Sequence, residues 1–525
     1  MNKDFYTTKF PSPEFKKELL KSATPYRGNL GPINETLQAL AAAPLICKTV
    51  IFEREYVDKD YQDEYAAFYS RSFKKYPPRA VRLHFFAADI SDADIPRLES
   101  VVPPDGYLGF LVLRPTDLQR VGRTILKPIL KDVDKEFVHC QAEFSAHILG
   151  QKLTVKAMPF IQQDTQVGAC AQASLWMVAR YLSRRFGHRE YLPGEINQLA
   201  KSKGGMGRAL PAELGLTWKQ MLDALEGMGL AAWSYSMGQF DDCSSHIDAA
   251  LPLDPNATED QKKQHQQRVR SLKLADIAYR YIESGMPVIF GTNNHALVGI
   301  GHTYEHTSPA KAAIQRIPGF ITHNDSVGPY RTIPLLASGN PGLTFAQVED
   351  IIAVVPIEVT LRGEAAEVMA RQAIQNALKL QTQNPSFPTY KDMICSLRPE
   401  FKGILDQLEY RTFLIPSVEF QKQLRQASKD VRFNLDLANR LIALDYPKFI
   451  WVTEISSSTL LNQPKREDRK CLGRVIIDST APSHTRGEMV VHFCDLLGML
   501  DRQTGKAQPW EHLPNTTPFG HQISR

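Results

Sequence analysis

Apolar residues recur through residues 170–186 at the spacing of one helix face, with Leu175, Val178 and Leu182 three and four positions apart. This predicts an amphipathic helix that opens at Cys170, with Arg180, Arg184 and Arg185 on its wet side. Further along, the period changes. Pro287-Val288-Ile289-Phe290 and Ala296-Leu297-Val298-Gly299-Ile300 are apolar runs on either side of a polar turn, which predicts two strands with His295 opening the second. A third run, Gly319-Phe320-Ile321-Thr322, ends in His323-Asn324-Asp325 and turns through Gly328-Pro329.

The flanks carry other patterns. Strand-like runs at 49–52, 80–86 and 107–113 with a helix over about 60–74 predict a mixed α/β region before the thiol segment, and further strands within 137–155 run directly into it. Pro103-Pro104-Asp105-Gly106 reads as a turn. The Thr217-Trp218-Lys219-Gln220 segment has capping-box form and starts a helix through Leu222, Leu225 and Met228. The polar residues 256–270 read as a solvated helical insert. Beyond 345 come a helical stretch to about 380 that contains a strand at 351–356, then a strand at 411–415, a helix over 417–444, strands at 449–455 and 472–477, and a helix or strand near 490–500. Residues 463–470 read as a hairpin loop.

At 525 residues the chain exceeds what one core supports and predicts about two to four domains. With 43% hydrophobic and 23% charged residues it has the composition of a globular protein. No apolar run reaches the length of a membrane span, and the first residues lack the apolar core of a signal peptide, so a cytoplasmic location is expected. The net charge of +5 is spread without basic runs, which gives no indication of nucleic acid as a partner. Seven widely spaced cysteines with no Cys-x-x-Cys pair indicate neither a disulfide framework nor a zinc ribbon. His302 and His306 would share a face only on a helix, and Pro309 with its Thr/Ser neighbours reads as loop, so no metal ligand set is assigned. No phosphate-cradling glycine loop appears, and no cofactor is expected.

Chemistry enters with Cys170. A thiol at a helix start lies at the positive end of the helix dipole, where the thiolate is favoured. A thiol nucleophile needs an imidazole within reach and a carboxylate or amide to orient that imidazole. The chain offers Cys170, His295 and Asp325 or Asn324 in that order.

These three segments resemble the papain-like cysteine peptidase superfamily, in particular its bacterial C39-like branch. Gln163, Asp164, Cys170, Ala173, Leu175 and Met177 match the branch's thiol segment; Pro287-Val288-Ile289 and His295-Ala296-Leu297-Val298-Gly299 match its histidine strands; Asp325 with Gly328 fits its third slot. Two positions depart from the pattern. Ala171 stands where the family has glycine, and Asp164 stands six residues before the thiol where the family has its oxyanion glutamine. Gln163 is assigned that role, with Gln162 and Gln166 as neighbours in the same loop.

The resemblance covers about residues 155–335, roughly a third of the chain. It implies an α+β fold: a papain-like catalytic domain of a helical lobe plus an antiparallel sheet (151–345), flanked by an N-terminal mixed α/β domain (1–150) and a C-terminal α+β domain (346–525). It implies a thiol hydrolase in which Cys170 attacks, His295 transfers the proton, Asp325 or Asn324 orients His295, and Gln163 stabilises the oxyanion, with no cofactor and no metal. A protein or peptide substrate is expected, with flanking domains or a regulatory protein partner controlling access. The same residues would serve an acyltransferase, transglutaminase-like enzyme or amidase, or remain as the scaffold of a non-catalytic interaction protein.

Overall fold

The structure is a computed structural model, describing residues 4–23, 31–42, 44–116, 121–163, 170–201, 215–237, 245–305, 313–336, 342–427, 435–462, 471–482, 487–494, 496–500 and 510–512. Their strands form three antiparallel sheets, an α+β architecture.

The first sheet contains β1 (Phe5–Lys9), β2 (Thr49–Tyr56), β3 (Ala80–Phe86), β4 (Tyr107–Leu113), β5 (Val121–Leu126), β7 (Ala142–Ile148) and β8 (Gln151–Phe160), in the order β1-β2-β3-β4-β5-β8-β7. The central sheet contains β6 (Glu136–Val138), β9 (Leu230–Ser236), β10 (Val288–Thr292), β11 (His295–Thr303), β12 (Gly319–Asn324), β13 (Gly328–Pro334) and β14 (Asp350–Pro356). Its order is β13-β12-β11-β10-β14-β9, with β6 also paired to β11. The third contains β15 (Leu408–Pro416), β16 (Phe449–Ser457), β17 (Gly473–Asp478), β18 (Glu488–Phe493), β19 (Leu496–Met499) and β20 (Glu511–His512) in chain order.

Strand pairing cuts across the sequence boundaries expected at 150 and 345. β8 follows 150 yet closes onto β5 and β7 of the first sheet, β6 precedes 150 yet joins the central sheet, and β14 follows 345 yet lies between β10 and β9. The reason is in the burial: β14 is apolar and buried from Ile351 to Pro356 and is covered as an interior strand rather than exposed as an edge.

One continuous apolar core links the three sheets, including Leu83 and Phe110 of the first, Leu297 and Ile352 of the central and Trp451 and Val475 of the third. A second, smaller cluster around Phe420, Leu441 and Ile450 lies beneath the helices Ser417–Ala427 and Leu435–Ala443. The expected single helix over 417–444 is thus two helices, and the residues between them lie outside those described. Residues 490–500 form a β18–β19 pair rather than a helix. The polar segment after 256 is the exposed front of one longer helix, Glu259–Glu283, opened by a Thr258 capping box; its back half, from Ser271 to Ile282, is largely buried. The 463–470 loop lies outside the described residues.

Candidate active site

Cys170 is the first residue of the helix Cys170–Phe186, which packs against β11 and β8. Ala171 through Ser183 are buried, so this helix is covered on all sides along most of its length. Of the arginines expected on a wet side, Arg184 is exposed and Arg185 half-buried, but Arg180 is not on one. Arg180 is 3% exposed, its Nη2 donates to Asp60 Oδ1 at 2.7 Å, and its guanidinium lies 4.8 Å from the Trp176 ring centre. Trp176 Nε1 donates to the same Asp60 oxygen at 3.0 Å. Asp60 comes from the helix Lys59–Ala67 beside the first sheet, so a remote carboxylate converts an apparently wet position into a buried one.

His295 opens β11. The two-residue turn Asn293-Asn294 pairs Thr292 with His295 across the β10–β11 hairpin, and helix packing on β11 brings the imidazole within reach of the Cys170 thiol, which favours its charge. Its Nε2 lies 3.0 Å from Asn324 Oδ1 and 3.4 Å from Asp325 Oδ1. Asn324 ends β12, the neighbour of β11, and Asp325 starts the turn to β13. Both are therefore delivered by the same strand pairing.

The two partners differ in chemistry. Asn324 Oδ1 also accepts from the Ser326 backbone N–H at 3.0 Å. Asp325 is 1% exposed, and neither carboxylate oxygen has a well-aligned hydrogen bond. Burial pushes the Asp325 carboxyl up to about 6, against the opposing pull of the His295 charge and weaker help from nearby backbone N–H groups. Burial works against a charged His295, yet the Cys170 hydrogen bond, the Asp325 charge and the Asn324 amide together raise its pKa to about 9. The arrangement favours an imidazolium beside the thiol across the neutral range.

His323, between Thr322 and Asn324, points the other way. Its Nδ1 donates to the Pro159 carbonyl at 3.1 Å, and its ring meets Tyr330 edge-on at 4.7 Å; burial holds it neutral, near 3. Tyr330 has φ 54°, a left-handed backbone rarely adopted by a bulky residue. Its hydroxyl donates to Leu126 O at 2.7 Å and accepts from Met158 N at 3.3 Å. The strand that ends in Asn324 is thereby fastened to the first sheet.

Of the glutamines, Gln162 is buried in the first sheet, where its Oε1 accepts from Val121 N at 3.3 Å and its carbonyl from Arg114. Gln163 is half-buried at the end of the described segment, after β8; Asp164 and Gln166 lie outside the described residues. Six described cysteines are free; besides Cys170 they are Cys47, Cys140, Cys395, Cys471 and Cys494, and Cys243 lies outside the described residues.

His302 is not on a helix with His306, which lies outside the described residues, but near the end of β11. There it meets His139 and Glu283, a cluster whose members are too far apart in sequence for any spacing rule to reveal. Among the described residues no helix is long and apolar enough to cross a membrane.

No family model, curated protein or solved structure matches the chain.

Proposed function

We propose that the chain is a cysteine hydrolase with a papain-like catalytic unit, cleaving an amide bond in a protein or peptide. The observation that carries this reading is the position of His295, within reach of Cys170 on one side and hydrogen-bonded to Asn324 on the other, with the buried Asp325 behind it. The order thiol helix, histidine strand and adjoining strand ending in Asn-Asp further supports a papain-like scaffold.

The chemistry follows from that geometry. Cys170 as thiolate attacks the scissile carbonyl carbon, and the carbonyl π electrons move onto oxygen. The oxyanion is stabilised by the Cys170 backbone N–H, which as the first of its helix has no intrahelical acceptor, and by the Gln163 amide. His295, as imidazolium, gives a proton to the departing amine as the C–N bond breaks, leaving a thioester on Cys170. Neutral His295 then takes a proton from water, whose oxygen attacks the thioester, and returns it to the sulfur as the acid leaves. The flanking sheets are expected to limit access to the site, as befits an enzyme kept from cutting proteins indiscriminately.

The test is iodoacetamide labelling against pH, mapped by peptide mass, in wild-type and His295→Ala protein. Cys170 is expected to label faster at neutral pH than the other described cysteines and to lose that advantage in the variant. Cys47 and Cys471, pushed up to about 12 by burial, serve as slow internal references. Equal labelling of Cys170 in both proteins would sink the proposal.

A further inference from the structure

His139, Glu283 and His302 converge from three separate parts of the chain. His139 follows β6, Glu283 ends the helix Glu259–Glu283, and His302 lies near the end of β11. The separations between His139 Nε2, His302 Nε2 and Glu283 Oε1 are 3.1, 2.9 and 3.9 Å. A circle through three points with those sides has a radius of about 2.0 Å, which is the bond length zinc makes to imidazole nitrogen and carboxylate oxygen. We propose that these three side chains form a binding site for a zinc-type divalent cation.

The surroundings fit that role. His302 Nδ1 donates to the Thr303 carbonyl at 3.0 Å, which leaves the Nε2 lone pair of the neutral ring facing the centre of the triangle. A backbone carbonyl on the far nitrogen is the usual way a protein orients a metal-binding imidazole. The two imidazole rings lie 28° from parallel with centroids 4.9 Å apart and Nε2 atoms 3.1 Å apart, so each ring turns its Nε2 toward the other. Glu283 turns Oε1 to the histidines and receives Arg411 Nη2 on Oε2 at 2.6 Å, which fixes the carboxylate plane. Arg411 also donates to Glu454 at 3.0 Å, so its charge is shared and does not fall on Glu283 alone. The three side chains are 9%, 5% and 3% exposed, in the order His139, Glu283, His302.

The backbone is built to let the ligands meet. Gly301 pairs with Val138, and a Cβ at Gly301 would lie 2.1 Å from the Phe137 carbonyl. Only a glycine admits β6 this close to β11, and β6 delivers His139, whose backbone N–H donates to Ile300 O at 3.0 Å. Two nitrogens and one carboxylate oxygen suit Zn²⁺ and leave a fourth position for water. Because the ligands come from the segment joining the first sheet, from the long helix and from the strand that begins at His295, the ion would act as a staple between them. It needs no part of the thiol chemistry and stands or falls separately from it.

The experiment loads metal-stripped full-length protein with Zn²⁺, dialyses it, and measures bound metal in wild-type and His139→Asn protein. One equivalent retained by wild type and lost in the variant is expected. No retained zinc in wild type, or equal retention in both, would overturn the proposal. Should the variant fail to fold, Co²⁺ replaces the comparison on wild type: a visible d–d spectrum without a thiolate-to-cobalt band supports a nitrogen and oxygen site. A thiolate band, or no d–d spectrum, would refute it and leave a Glu283–imidazolium ion pair.

Discussion

His295 and Asn324 meet through one hydrogen bond of 3.0 Å in which the histidine Nε2–H is the donor. The direction follows from a third group: the Ser326 N–H also points at Asn324 Oδ1, which marks that atom as the amide oxygen, an acceptor only. With Nε2 committed to Asn324, Nδ1 is the ring nitrogen left for the Cys170 sulfur. Asn324 thus sets the tautomer, while Asp325, 3.4 Å away without an aligned hydrogen bond, acts through its charge.

Asn324→Ala is therefore expected to lower kcat by roughly 10²-fold, the scale of a misdirected general acid and base, with little change in KM. Asp325→Asn should keep more activity and instead move the pH profile. Steady-state kinetics on a peptide pool cleaved by wild type would separate the two, and equal losses without a pH shift would contradict the division of roles.

The alkaline side of that profile belongs to His295. Burial disfavours its charge, but the Cys170 hydrogen bond and the Asp325 charge raise its pKa to about 9. An unfolded histidine titrates near 6.5, so the stabilisation from this imidazolium is complete below about 6.5 and is lost as pH rises through about 9. Acylation should fall over the same alkaline range as the proton for the leaving group disappears. In Asp325→Asn this limb should move to lower pH, and NMR titration of the His295 ring would measure the same shift directly.

Removing Asp60 should damage a helix it does not belong to. Asp60→Ala leaves Arg180 buried without its closest carboxylate and removes the Trp176 acceptor, which is expected to cost about 3–5 kcal/mol. Asp60→Ala with Arg180→Met should recover a good part of it. Chemical denaturation of both variants gives the comparison, and equal losses would mean that Arg180 finds another partner.

Tyr330→Phe keeps the ring against His323 and removes only the hydroxyl between Leu126 and Met158. About 1–3 kcal/mol of stability should go with it, because a buried N–H and a buried carbonyl lose their partner. Cys170 labelling should slow as well, since Tyr330 ties β13, the strand paired with that of Asn324, to the first sheet; unchanged labelling would place that anchorage outside the site's control.

What could be seen in the sequence was local. The Thr217 capping box, the helix that opens at Cys170, the strand that begins at His295 and the Asn-Asp after the next strand all follow from periodicity and turn chemistry acting over a few residues. What could not be seen depends on pairings between distant segments. Arg180 looks like a solvent residue until Asp60, 120 positions earlier, is placed beside it. β14 reads as part of a following domain until its apolar length is matched to β9 and β10. His139 lies 163 positions before His302, and the only local sign of their meeting is the glycine at 301.

The Asp60 contacts also bear on how such a chain can change over time. The helix that carries Trp176 and Arg180 cannot drift independently of the segment that supplies the carboxylate, because a neutral residue at 60 leaves the buried Arg180 with only Glu190, 3.8 Å away, as a carboxylate partner. Exchange of the first 150 residues for an unrelated module would require a simultaneous change at Arg180. Inheritance of the two regions as a pair, with positions 60 and 180 covarying, is the pattern that the Asp60–Arg180 contact favours.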